Sequence, residues 1–274
     1  MIASLTENPV ARAVSRHLVS SVAWMCYAFL VIPCLIVIPI AFGGGNELQF
    51  PPKTFSLDLF RRFFTDEGWW RGLTQSLLVA VSTTVLTLLL CIPAAFAIQR
   101  SSMRFTRVFS ALTMGPLLVP VVVLGLGLYL QFGKWQMLNS TAALVLSHTM
   151  LAVPFAMVSI TSGLAHIDPA LETVALVMGA SKPNIFFRVL LPQLKSAIIA
   201  GGFFAFLISF DEVVVAFFLT GPETQTLPVK MYAAIRWEVS PVIAAVSTLL
   251  TVLSLLGGLV LLKTEKSDEV GGTS

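Results

Sequence analysis

L-T-Q-S-L-L-V-A-V-S-T-T-V-L-T-L-L-L-C-I-P-A-A-F-A-I, Leu73 to Ile98, carries no charged side chain from end to end and is closed by Gln99-Arg100. A helix rises about 1.5 Å per residue, so a run of this length covers the roughly 30 Å hydrocarbon core of a bilayer. The run predicts a membrane-spanning helix. Five more apolar runs share its character, at about Leu18 to Phe42, Val108 to Phe132, Thr141 to Gly163, Ser196 to Leu219 and Pro241 to Leu262. The chain thus reads as an all-α polytopic membrane protein of six transmembrane helices, one domain over residues 1–274.

Composition supports that class. Of the residues, 56% are hydrophobic and 11% charged, and the mean hydropathy is +0.88, whereas soluble domains carry about 25% charge. The formal charge of +3 is small and its basic residues are scattered, which excludes nucleic acid as an expected partner and leaves the lipid bilayer. Cys26, Cys34 and Cys91 lie inside apolar runs, away from disulfide or metal spacing, and read as small hydrophobes.

The intervals between runs carry their own signals. The first run follows Arg12, Arg16 and His17, but its apolar part exceeds the 7 to 15 residues typical of a signal peptide and no A-x-A site follows, so it reads as an uncleaved span that tolerates Pro33 and Pro39. Between Gly43 and Arg71, apolar residues at Ser56-Leu57, Leu59-Phe60 and Phe63-Phe64 return every three or four positions. A short amphipathic helix along the interface is expected there, with Trp69 and Trp70 at the membrane boundary. The third run holds Gly115-Pro116, Pro120, Gly125 and Gly127, which predict a broken or closely packed helix. Gly201-Gly202 and Gly257-Gly258 predict close helix contacts.

Basic residues orient the chain. With the N-terminus inside, the inner segments hold ten (Arg12, Arg16, Arg100, Arg104, Arg107, Lys182, Arg188, Lys195, Lys263, Lys266) and the outer ones seven (Lys53, Arg61, Arg62, Arg71, Lys134, Lys230, Arg236). That excess places both termini in the cytoplasm. The stretch H-I-D-P-A-L-E-T-V-A-L-V-M-G-A-S-K-P-N-I-F-F-R-V-L-L-P, His166 to Pro192, within a loop spanning 164–195, then faces the cytoplasm. Its natural reading is two short helices meeting at Gly179. The first covers about Pro169 to Met178; the second is opened by Ser181 as N-cap with Pro183 in its first turn. Leu171, Val174, Ala175 and Met178 recur at helical spacing and suit a groove on a partner, the alternative being a helix pressed against lipid.

This loop resembles the signature of the membrane subunits of bacterial ATP-binding-cassette importers, E-A-A, three residues, G, nine residues, I-x-L-P. Gly179 is followed nine residues later by Val189-Leu190-Leu191-Pro192. At the front, Thr173, Val174 and Ala175 occupy the E-A-A positions, and Glu172 lies one place early. Further on, S-F-D-E-V-V-V-A-F-F-L-T-G-P-E-T-Q-T-L-P-V-K-M-Y, Ser209 to Tyr232, resembles the second permease of spermidine/putrescine-type importers. The resemblance implies a type I importer permease in the bacterial inner membrane, and a coupling loop with Glu172, Val174, Ala175, Met178, Gly179, Ala180, Ser181, Leu191 and Pro192 against an ATPase subunit. It also implies a second homologous permease, two ATPase subunits holding ATP and Mg, an extracytoplasmic solute-binding protein, and a polyamine or related small amine as solute. Permeases for opines, aminobutyrate or aminoethylphosphonate look similar.

Asp211 and Glu212 interrupt the fifth apolar run about 20 Å from its cytoplasmic end. A carboxylate there is costly unless it faces a cavity or a partner. Two readings stand: with Ser209 the pair lines the translocation path, or it caps a helix break or pairs with basic residues of the second permease. A self-sufficient ion-coupled carrier using Asp211 is a more distant alternative. His148 has no second ligand at i+3 or i+4, so it reads as a hydrogen-bonding group and no metal site is expected; His166 and Asp168 read as caps. No Ser/His, H-E-x-x-H or G-x-x-x-x-G-K-[ST] pattern occurs, so the chain is expected to be no enzyme and to bind no cofactor itself.

Overall fold

A computed structural model describes residues 9–45, 48–100, 105–238 and 240–255. The helices in chain order are α1 (Pro9–Ala41), α2 (Asp58–Thr65), α3 (Glu67–Arg100), α4 (Phe105–Leu118), α5 (Val121–Lys134), α6 (Thr141–Ala165) and α7 (Ala170–Val177). They continue with α8 (Lys182–Ile185), a π-helical turn (Phe186–Leu190), α9 (Leu191–Gln193), α10 (Lys195–Phe210), α11 (Val214–Leu219), α12 (Leu227–Ala233), a second π-helical turn (Ala234–Glu238) and α13 (Val242–Leu255). Three stretches, His17–Ala41, Glu67–Arg100 and Thr141–Ala165, are long and apolar enough to cross a membrane. Two more candidate spans are bent pairs: Val108–Leu118 with Val121–Lys134 at 102°, and Lys182–Gln193 with Lys195–Phe210 at 72°. The all-helical class stands among the described residues, with three to five spans by length and composition. The expected sixth run is described as α13 only to Leu255; its remainder to Leu262, Gly257-Gly258, Lys263, Lys266 and Arg104 lie outside the described residues.

The chain divides into two compact units, Met1–Asp66 with Trp237–Ser274, and Glu67–Arg236. In the first, α1 leaves Leu18, Trp24, Phe29 and Leu30 exposed, as a lipid-facing helix does when its backbone is satisfied internally. α2 buries Leu59 and Phe63, one turn apart, the amphipathic face that the spacing predicts. A salt bridge between Arg62 and Asp58 at 2.7 Å spans its outer face.

In the second unit α3, α6 and α10 form the core. In lipid, helices gain little from burying apolar area against one another, so close backbone contact through small residues does the work. A Cβ placed on Gly201 would stand 3.5 Å from Ala156 Cα of α6, and one on Gly202 3.2 Å from Leu88 Cδ1 of α3. The glycine pair therefore lets α10 approach both neighbours at once. The helices are ordered end to end. Gln75 Nε2 donates to Thr141 Oγ1 at 3.0 Å and the Leu227 N–H donates to Ser76 Oγ at 2.8 Å, so α3 and α6 start at the same end, where α12 lies. They finish together at the other end, against the loop 164–195.

The third run is broken at a proline, as expected: Pro120 stands at the N-cap of α5 after the bend at Val119. The fifth run is not the single helix expected over Ser196 to Leu219. α10 ends at Phe210 and α11 begins at Val214, the helix break at the acid pair that was one of the two readings of Asp211 and Glu212.

Candidate coupling surface and intramembrane polar site

The loop after α6 is built from caps. His166 ends α6, and its Nδ1 lies 2.7 Å from the Ser162 carbonyl oxygen. Asp168 Oδ1 accepts from the Ala170 N–H at 2.8 Å, filling one of the orphan donors of α7. At the far end the Gly179 N–H donates to the Leu176 carbonyl at 2.9 Å and the Ala180 N–H to the Ala175 carbonyl at 3.0 Å. Those two bonds make a Schellman close. It places Gly179 at φ +83°, the left-handed region where a side chain is strained. The next helix opens at Ser181 with Pro183 in its first turn, as expected, although the Ser181 side chain makes no capping hydrogen bond.

One side of this loop folds onto the protein. Leu164, Ile167, Ile185, Leu190 and Leu194 are buried together, with Ala175, Ala180 and Val189 partly buried against them. The other side is apolar and open: Val174 is 57%, Val177 84% and Met178 81% exposed. α7 buries none of its residues completely. Leu191 is half-buried, and Ser181 and Pro192 are exposed. Glu172 does not share the open side. Its Oε1 stands 2.5 Å from a terminal guanidinium nitrogen of Arg100, the last residue of α3. Arg100 was legible only as one more basic residue on the inner side, since no spacing links it to the loop.

A second polar group sits inside the helical core. Both carboxylate oxygens of Glu212 turn forward, accepting from the Val215 N–H at 2.9 Å and the Ala216 N–H at 2.8 Å. Glu212 is thus the cap of α11, which is why the run breaks there. His148 of α6 is fully buried; its Nδ1 lies 2.9 Å from Ser209 Oγ of α10 and its Nε2 3.7 Å from Glu212 Oε2. This is the interhelical role expected of His148, with Ser209 and Glu212 now joined to it. Asp211 goes the other way. It ends α10 through its N–H to the Leu207 carbonyl at 3.0 Å, and its side chain is exposed. The acid pair is divided between one carboxylate held by the backbone and one exposed.

Comparison with known proteins follows the same lines. Residues 91–262 match the family described as binding-protein-dependent transport system inner membrane component. The chain is 30% identical over 234 residues to the spermidine/putrescine transport system permease protein PotC of Escherichia coli, covering 84% of this chain and 87% of that protein. It is 28% identical over 231 residues to the putrescine transport system permease protein PotI of the same organism, covering 82% of each. To the sulfoquinovosyl glycerol transport system permease protein SmoH of Agrobacterium fabrum it is 29% identical over 205 residues, 73% of this chain and 72% of that one. In fold it matches a bacterial ABC transporter involved in the import of the acidic polysaccharide alginate, with a TM-score of 0.77 at 14% identity over 93% of this chain and 98% of that one. With the Gly179 turn and the Leu191-Pro192 close inside the matched region, the chain belongs to the family of inner membrane components of binding-protein-dependent transport systems.

Proposed function

We propose that this chain, acting as one permease domain over residues 1–274, forms half of the translocation path of an ATP-driven importer for a polyamine or a related small amine. The observation that carries the coupling role is the open apolar side of α7, Val174, Val177 and Met178, held out by the turn at Gly179. A rigid, exposed apolar helix face ahead of a fixed turn suits the groove of a partner. In this reading two ATPase subunits hold ATP and Mg, close on ATP, and push α7 and its counterpart on a second, homologous permease. The paired permeases then rock between inward and outward opening around a fixed path. An extracytoplasmic binding protein delivers the solute, and both termini lie in the cytoplasm.

The amine class rests on the likeness to PotC and PotI and on the exposed carboxylate of Asp211, which suits a cationic solute. Ser209 and Glu212 serve the path indirectly, by holding the break at which Asp211 is presented. Purification of the chain under mild detergent tests the assembly: an ATPase and a second permease are expected to come with it. A chain that purifies alone and still moves solute along an ion gradient contradicts this function.

A further inference from the structure

We infer that Glu172 is a positioning residue that locks α7 to the end of α3 through Arg100, and that it makes no contact with the ATPase. The inference rests on the coupling role proposed above and assigns the acidic side chain of α7 to the side opposite its open face. On α7, Glu172 and Ala175 are three residues apart and share a face; both are partly buried, Ala175 against the loop's own apolar cluster. Val174, Val177 and Met178, also at helical spacing, form the open face. A carboxylate on the inner face cannot reach a partner seated on the outer one.

The inner face is where the charge is matched. Arg100 and Glu172 approach to 2.5 Å with side chains 28% and 26% exposed. The contact is one of charge, since the angles of a hydrogen bond are not met at Glu172 Oε1. Both charges also suit their helices: Arg100 stands in the last turn of α3 and Glu172 in the first turn of α7, where the helix dipoles favour a cation and an anion respectively. One turn back along α3, the Phe96 ring meets the Phe186 ring of the π-helical turn edge to face, with centroids 4.9 Å apart. The loop is therefore tied to α3 on both sides of Gly179, by a charge pair before the turn and a ring pair after it. A push on the open face of α7 is delivered to the longest helix of the core.

The test uses the assembled complex in proteoliposomes, with Arg100→Gln, Glu172→Gln and the exchange Arg100→Glu/Glu172→Arg. Each single variant is expected to keep its ATPase subunits and to go on hydrolysing ATP, while solute imported per ATP falls about tenfold, an ordinary coupling effect between sites. The exchange is expected to recover part of that ratio, since it restores a pair of opposite charges while setting each against its helix dipole. Loss of the ATPase from Glu172→Gln but not from Arg100→Gln overturns the inference, because it places the carboxylate at the partner. So does an exchange no better than the singles. Thermal unfolding of the same purified chains separates the two levels: strictly additive effects of the two substitutions overturn the pair itself, whereas a wild-type complex that carries no ATPase overturns the proposed function.

Discussion

Glu212 has both oxygens engaged by the backbone of α11, so among the described residues the carboxylate left exposed near the break is that of Asp211. Asp211→Asn keeps the shape and removes the charge. Uptake of a cationic solute by the assembled complex is expected to fall about tenfold, well within the roughly 4 kcal/mol that two unit charges 4 Å apart exchange in a surface-like dielectric. Unchanged uptake removes Asp211 from the path. His148→Ala acts on stability. It deletes the bond to Ser209 and opens space in the core, at a cost of about 1 kcal/mol for an interhelical hydrogen bond in lipid, read as a lower unfolding temperature. Ser209→Ala is expected to cost less, since it opens no comparable space, and the double variant to cost little more than His148→Ala alone. An additive double variant contradicts the pairing. Asp211, Glu212 and Ser209 were visible in the sequence because charge and hydroxyl stand out in an apolar run. Their division of labour was not, because it depends on which way each side chain turns, and on His148 arriving from another helix.

Elements repeat the lesson in another form. Gly179 was legible as a turn, since it stands between two helical patterns with Ser181 and Pro183 after it, and it adopts φ +83°. Gly179→Asp places a side chain in that region at a cost of about 1–3 kcal/mol and is expected to abolish ATP-driven uptake; normal uptake contradicts the coupling role of the loop. Gly201→Leu is expected to destabilise the core by about 1–3 kcal/mol through overpacking against Ala156, measured as loss of monodisperse protein in detergent. The break in the third run was announced by Pro120, whereas Pro116 lies inside α4. The one in the fifth run was signalled only by the acid pair, whose capping of a helix break was one of its two readings, because Val213 to Leu219 continues the hydropathy of Ala197 to Phe210; the forward turn of Glu212 bears that reading out. The π-helical turns at Phe186–Leu190 and Ala234–Glu238 leave no mark in periodicity either.

For the molecule as a whole, the family follows from motifs spread over the chain, while the solute and the energy source are part of the proposed function. The chain is proposed to work as a coupled half of an ATP-driven importer. The direct measurement is uptake of radiolabelled spermidine and putrescine into proteoliposomes holding this chain, a partner permease and the ATPase, with and without the binding protein and internal ATP. The account predicts accumulation only when binding protein and ATP are both present. Accumulation by this chain alone, driven by an ion gradient and indifferent to ATP, would contradict it.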